Sequence, residues 1–313
     1  MANFPQRAQV VVIGGGVMGA SVAYHLAKRG VTDIVLLERE PFWGAGATGK
    51  CAGGIRYQFS TAINIELSKL SLPMLERFEE ELGQAIDLRW PGYLFLLTNE
   101  QDVAKFEHNV ALQQQLGVPT EWLSGDEVRA RVPLLNAADV IAGTFHAGAG
   151  LADPNGVVMG YVNGAKRLDV QAFTDVTVTD IETTGAGVGG VQTSAGAIDC
   201  EIIVNATGPW AAPISEMAGV PLPVIPVRRQ ILTTTPLPEV PDDFPFIIDF
   251  AQSLYFHREG EGILTGQSNP HEAPGFDESV DQAWEYAHME CAIERLPILE
   301  QAGRASHWAG LYE

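Results

Sequence analysis

Residues 9–19, QVVVIGGGVMG, join an apolar β-branched run to glycines spaced G-x-G-x-x-G at Gly14, Gly16 and Gly19. The run QVVVI suits a strand buried on both faces of a parallel sheet. Beyond the last glycine, ASVAYHLAKRG carries helix formers, small Ala20 and Ala23 for close packing, basic Lys28 and Arg29 in the last turn, and Gly30 as a stop. A second apolar strand, DIVLLE, then ends on Glu38. Glycines in this spacing arise by chance, but a strand before them, a helix after them and an acid at the expected ~20 residues further on define a dinucleotide-binding βαβ unit. Gly14 permits the tight turn and Gly16 the approach of a pyrophosphate to the helix N-terminus at Val17 and Met18. Gly19 lets the helix pack closely, and Glu38 accepts a hydrogen bond from an adenosine ribose hydroxyl. An acid at position 38 disfavours a ribose 2′-phosphate; NAD and FAD both remain compatible.

The 313-residue chain is 46% hydrophobic, enough for a large core and about two domains. Its formal net charge of −20 repels nucleic acid and anionic lipid, so neither is expected as a partner. An anionic small substrate would feel the same field, and its site must supply local arginine or lysine. Cys51, Cys200 and Cys291 form no C-x-x-C pair, and no metal-ligand spacing occurs, so neither a disulfide framework nor a metal site is expected. No run is apolar for the ~18–20 residues of a membrane span. The N-terminus enters the glycine motif rather than a cleavable apolar segment, which implies a cytoplasmic protein.

After Glu38 and Arg39 the chain continues into GATGKCAGGIR, residues 46–56, where glycine lets the backbone approach a ligand and a terminal arginine can grip an anion. An amphipathic stretch, STAINIELSKLSLPMLERFEEELG, follows, with Ser60 or Thr61 as N-cap. With this segment just beyond the ribose-binding acid, the chain resembles the D-amino-acid oxidase superfamily of FAD enzymes, in the branch of sarcosine oxidase beta subunits, dimethylglycine and glycine oxidases and L-proline dehydrogenase beta subunits. VNATGPWAAPI at 204–214, RRQIL at 228–232, the FIID…LYFHREGEGILTG block at 246–266 and the closing WAGLYE are similar to family blocks in the same order.

The resemblance implies FAD as cofactor and an α/β fold: a Rossmann-like FAD-binding domain of residues 1–85 and 149–221, with an inserted α+β substrate domain of residues 86–148 and 222–313 on a large mixed or antiparallel sheet. It places Ala47, Thr48, Gly49, Lys50, Gly53 and Gly54 along the flavin, Val176 near the adenine, and Ala206, Thr207, Gly208 and Trp210 in a second flavin segment. Arg56 aligns with the arginine that holds the substrate carboxylate in sarcosine oxidases, a role suited to a guanidinium. Tyr255 stands at a block carrying an active-site tyrosine, and His257, two residues on and on the same face, compensates for Ser268, which stands where the family has its active-site histidine. Arg228 and Arg229 alternate faces, so at most one points into the site. Cys51 reads as a buried structural thiol, and Trp90, Trp122 and Trp284 as packing.

The implied reaction is oxidation of a small N-substituted or cyclic amino acid (sarcosine, dimethylglycine or L-proline) by hydride transfer to flavin N5, giving an imine that hydrolyses. Partner subunits or an electron-acceptor protein take the electrons. A 2-hydroxy-acid dehydrogenase and a non-catalytic flavin-binding subunit are the alternatives. Relatives continue past WAGLYE with a final flavin segment absent here, so weak cofactor retention is expected.

Overall fold

In the computed structural model, four parallel strands lie side by side in the order Gln171–Phe173, Ile34–Leu37, Arg7–Ile13 and Gly196–Asn205. The structure describes residues 4–185 and 187–313; residues 1–3 and Ala186, the latter within the expected meander, lie outside it. Two antiparallel strands, Gly187–Thr193 and Val178–Thr184, complete this six-stranded sheet as the meander read from the sequence.

The apolar runs are continuous because the sheet is covered on both faces. On one face the helices Val17–Lys28 and Pro154–Arg167 bring Ala20, Ala23, Val158 and Val162 onto Val10, Val12, Ile34 and Leu36. On the other, Val11, Ile13, Val35 and Leu37 meet Ile181, Val191 and Ile198 of the meander. Full burial of each such side chain contributes roughly 1.5–3 kcal/mol.

The second sheet has eight strands in the order Arg304–Tyr312, Val227–Thr234, Gly262–Gln267, Leu254–Glu259, Phe246–Asp249, Tyr93–Leu97, Ala142–His146 and Glu121–Ser124. All its pairings are antiparallel except that of Phe246–Asp249 with Tyr93–Leu97. One face packs Leu94, Leu96, Leu254 and Phe256 against Ala292 of the helix Gln282–Arg295 and Leu296 just beyond it. Arg295, 5% exposed, pairs there with the fully buried Asp249 and with Asp139, fixing the end of the strand that carries Phe246. The opposite face presents Tyr93, Phe95, Phe246 and Tyr255 toward Ala52 of the glycine-rich loop.

That loop crosses from one sheet to the other and ends in a two-stranded ribbon, Gly54–Ile55 against Gly150–Leu151. In the following helix, Ala62–Glu76, Thr61 occupies the N-cap position without a side-chain cap; Ile65 and Leu72 are buried, whereas Ile63, Leu67 and Leu70 face solvent. The packing role read for two tryptophans is corrected: Trp90 and Trp122 lie at the surface, 37% and 36% exposed, because they sit on a loop and an edge strand. Trp284 is partly buried and donates Nε1–H to the Gln267 carbonyl.

Candidate active site and cofactor groove

The glycine turn is built by backbone contact that admits no side chain. Gly14 has φ +108°, a left-handed conformation natural to glycine, and a Cβ there would overlap the Ala206 carbonyl. A Cβ on Gly19 would overlap the Gly14 carbonyl oxygen, so the helix can approach the strand only with glycine at that position. Gly16 occupies the helix N-cap with no side-chain cap of its own. Thr48 reaches over from the loop instead, its Oγ1 accepting the Val17 N–H at 3.1 Å. That bond takes up the Val17 N–H, and Met18 beside it is 66% exposed.

Glu38 ties the glycine turn to the end of the second strand. Its carboxylate accepts the Gly15 N–H at 2.6 Å and the Glu40 N–H at 2.9 Å, while its own carbonyl accepts the Val176 N–H at 2.9 Å. Each carboxylate oxygen keeps a lone pair for a ribose hydroxyl. The Arg39 guanidinium lies 3.8 Å from the Trp210 ring, which stacks on Phe276 and faces Gly46. Asn205 positions the second segment by accepting both the Thr207 hydroxyl at 2.6 Å and its N–H, ahead of Gly208 at φ +53°.

Lys50 is engaged: its Nζ pairs with Glu278 at 2.8 Å, its carbonyl accepts Trp308 Nε1–H, and its stem packs on Gly310. Gly49 and Gly53 are held by backbone, the Gly49 N–H donating to the Gly44 carbonyl and the Gly53 carbonyl accepting the Ala152 N–H. Cys51 departs from the buried structural thiol expected. It is exposed, at the end of the short turn Thr48–Lys50, although the surrounding protein still raises its thiol pKa by desolvation.

Beyond Gly54, where a Cβ would overlap the Tyr93 hydroxyl, Arg56 enters a box of rings. Its guanidinium lies 4.8 Å from Phe59, 5.6 Å from Phe95 and 5.8 Å from Tyr93. Among the described residues Arg56 makes no ion pair, and its Nε is buried without a partner. Tyr93 is 2% exposed and stacks on Phe246 at 4.2 Å; burial pushes its phenol well up, and the neighbouring Arg56 charge opposes that. Tyr255, also raised by burial, lies on the same sheet face and covers Gly266.

His257 is placed differently from a group open to the cleft. It is 1% exposed, stacked on Phe246 at 5.0 Å, with Nδ1 against the Arg258 carbonyl, and burial lowers its pKa to about 4. Arg228 turns to the far face, held by Glu272 and Asp277 at 2.9 Å, whereas Arg229 stands opposite Gly310, against which the Lys50 stem packs. Sequence reasoning missed Gly15, packed under Trp43, and the ring box of Phe59, Tyr93, Phe95 and Phe246. The alternation in GYLFLLT was its one available signal. Among the described residues no cluster of metal-ligating side chains occurs, and no helix is long and apolar enough to cross a membrane.

A glycine turn between a parallel strand and a helix, an acid at the end of the next strand and a glycine loop spanning two sheets form a βαβ unit of the dinucleotide-binding class. The chain belongs to the DAO family of FAD-dependent oxidoreductases, which it matches over residues 9–313. Mitochondrial dimethylglycine dehydrogenase of Rattus norvegicus is 32% identical over 96% of this chain, and mitochondrial sarcosine dehydrogenase of Homo sapiens 31% over 98%. The chain spans only 37% and 35% of those two proteins. The crystal structure of L-proline dehydrogenase from P. horikoshii superposes with a TM-score of 0.91 at 30% identity, over 99% of this chain and 82% of that one.

Proposed function

We propose that this protein oxidises a small secondary or tertiary amino acid of the sarcosine, dimethylglycine or L-proline type. The observation that carries the reading is Arg56: a guanidinium without a carboxylate partner, in an aromatic box, where the flavin-binding loop meets the large sheet. A substrate carboxylate on Arg56 would hold the amine over the face carrying Tyr255, with Phe59, Phe95 and Phe246 excluding water from it. Tyr255, its phenol kept neutral, lines that face, and His257 on the same face stacks against Phe246.

The groove fits FAD: the helix N-terminus suits the pyrophosphate, Glu38 and Val176 the adenosine, Thr48, Gly49, Lys50, Gly53 and Gly54 the ring side, and Ala206, Thr207, Gly208 and Trp210 the second segment. Bound there, FAD supplies the two-electron acceptor for the C–H bond next to nitrogen. The resulting imine then hydrolyses.

The six-stranded sheet draws its strands from within 1–85 and 149–221, and the eight-stranded sheet from within 86–148 and 222–313, which supports the division into cofactor and substrate domains. Free Cys51, Cys200 and Cys291 support a reducing, cytoplasmic location. Partner subunits or an acceptor protein would take the electrons. Dye-coupled turnover of the FAD-supplemented chain with sarcosine, dimethylglycine, L-proline and lactate tests the reading. Amine turnover is expected, and turnover of lactate alone would replace it with a hydroxy-acid dehydrogenase.

A further inference from the structure

The helix Ala62–Glu76 carries two apolar stripes on opposite faces. Ile65 and Leu72 form the inner stripe and are buried against the rest of the chain. Ile63, Leu67, Leu70 and Met74 form the outer one and are between 40% and 65% exposed. Their steps of four, three and four residues are those of the a and d positions of a heptad, which puts Ile65 and Leu72 at the f positions directly behind them. A surface helix ordinarily turns one apolar stripe to the core and polar residues to water. Here the second stripe points straight away from the molecule, with the 3.5-residue period of a helix–helix seam rather than the scatter of single surface leucines.

The borders of this seam suit a second copy of the same chain. At a net charge of −20 two copies repel one another unless the touching surfaces are locally neutral. Asn64, Glu66, Ser71 and Pro73 flank the seam, and the one acid among them is paired with Lys69 at 3.1 Å. The Ser71 hydroxyl donates to the Leu67 carbonyl at 2.8 Å, so covering it leaves no unmet hydrogen bond.

Charge also sets the direction. Glu76, Glu79 and Glu80 are exposed at the C-terminal end of this helix and in the short helix Phe78–Leu82 that follows. Parallel pairing brings the two sets of acids together. Antiparallel pairing separates them by the ~22 Å length of a 15-residue helix, beyond two Debye lengths at physiological salt. A two-fold axis between Leu67 and Leu70 then sets each a residue opposite a d residue: Leu67 of one copy meets Leu70 of the other, and Ile63 meets Met74.

We propose that the face of Ile63, Leu67, Leu70 and Met74 is a homodimer surface, on which a second copy of this chain docks its own helix antiparallel. Four such side chains cover a few hundred Å² per copy, about half of the ~800 Å² per partner in a standard interface, so the dimer is weak and reversible.

Sedimentation velocity of the FAD-supplemented chain over a concentration series tests this. The mass should rise from monomer toward dimer between micromolar and submillimolar concentrations. Leu67→Gln combined with Leu70→Gln should raise the dissociation constant at least ~tenfold. The melting temperature of the dilute chain should not fall, since both side chains already face solvent. Disulfide trapping reads the direction: a mixture of Ile63→Cys and Met74→Cys chains should give a cross-linked dimer under mild oxidation, above the wild-type level set by exposed Cys51. Neither variant alone should do so, because antiparallel pairing holds the two copies of each position about 16 Å apart along the axis. A chain that stays monomeric throughout the series would overturn the proposal and leave the seam to a helix of another protein. Dimerisation unaffected by the double substitution would also overturn it, and cross-linking of Ile63→Cys with itself would overturn the antiparallel arrangement.

Discussion

Replacing Arg56 by alanine separates ligand binding from architecture, because the structure makes opposite demands in the two cases. A guanidinium holding a carboxylate in a partly desolvated box is worth about 2–5 kcal/mol of binding, which at about 1.4 kcal/mol per tenfold predicts a KM higher by roughly 30- to 3,000-fold. The folded chain without substrate loses no ion pair. Its Nε is already buried without a partner, a cost of about 1–3 kcal/mol that alanine relieves. Against this stand the contacts with Phe59, Phe95 and Tyr93, worth about 0.5–1 kcal/mol at partly open sites. The melting temperature of Arg56→Ala should therefore stay within a few degrees of wild type or rise, since about 1 kcal/mol moves it by about 2–4 °C in larger domains. The assay is paired: steady-state kinetics with the best amine, and melting of the substrate-free chain. A melting temperature lower by many degrees with KM unchanged would refute the reasoning and make Arg56 a structural cation.

Gly19→Ala drives a methyl into the Gly14 carbonyl oxygen, and overpacking of this kind costs about 1–3 kcal/mol; lower melting temperature and weaker FAD binding should appear together. Thr48→Val removes the acceptor for the Val17 N–H and should cost about 0.5–2 kcal/mol in denaturant unfolding, the range for a lost helix cap. His257 and His288 are held neutral to about pH 4 in the fold, whereas the unfolded chain protonates each near pH 6.5. Stability should fall as pH drops from 6.5 toward 4, by about 3 kcal/mol per histidine, and urea midpoints across that window check it; a flat profile would contradict burial of both rings.

The nucleotide half was legible because its signals are local. The apolar run before Gly14, the small residues after Gly19 and the acid at Glu38 each have one structural explanation, and the parallel strands, the helix and the close approach at Gly19 follow from them. The alternation of Arg228 and Arg229 was equally direct, since strand geometry puts neighbours on opposite faces. The ring box around Arg56 was not readable in this way. Tyr93 and Phe246 are far apart in sequence and meet because Phe246–Asp249 pairs parallel with Tyr93–Leu97, a long-range register without a local mark. Exposure was misjudged where residue type was taken for position: Cys51 is open on a loop outside the packed sheets, and Trp122 because its strand lies at a sheet edge.

The most direct test of the account is the visible flavin spectrum of the purified, FAD-supplemented chain during anaerobic titration with sarcosine, dimethylglycine and L-proline. The account predicts that at least one of the three bleaches the flavin at wild-type Arg56 and does so only at much higher concentration in Arg56→Ala. Bound flavin that none of the amines reduces would contradict it.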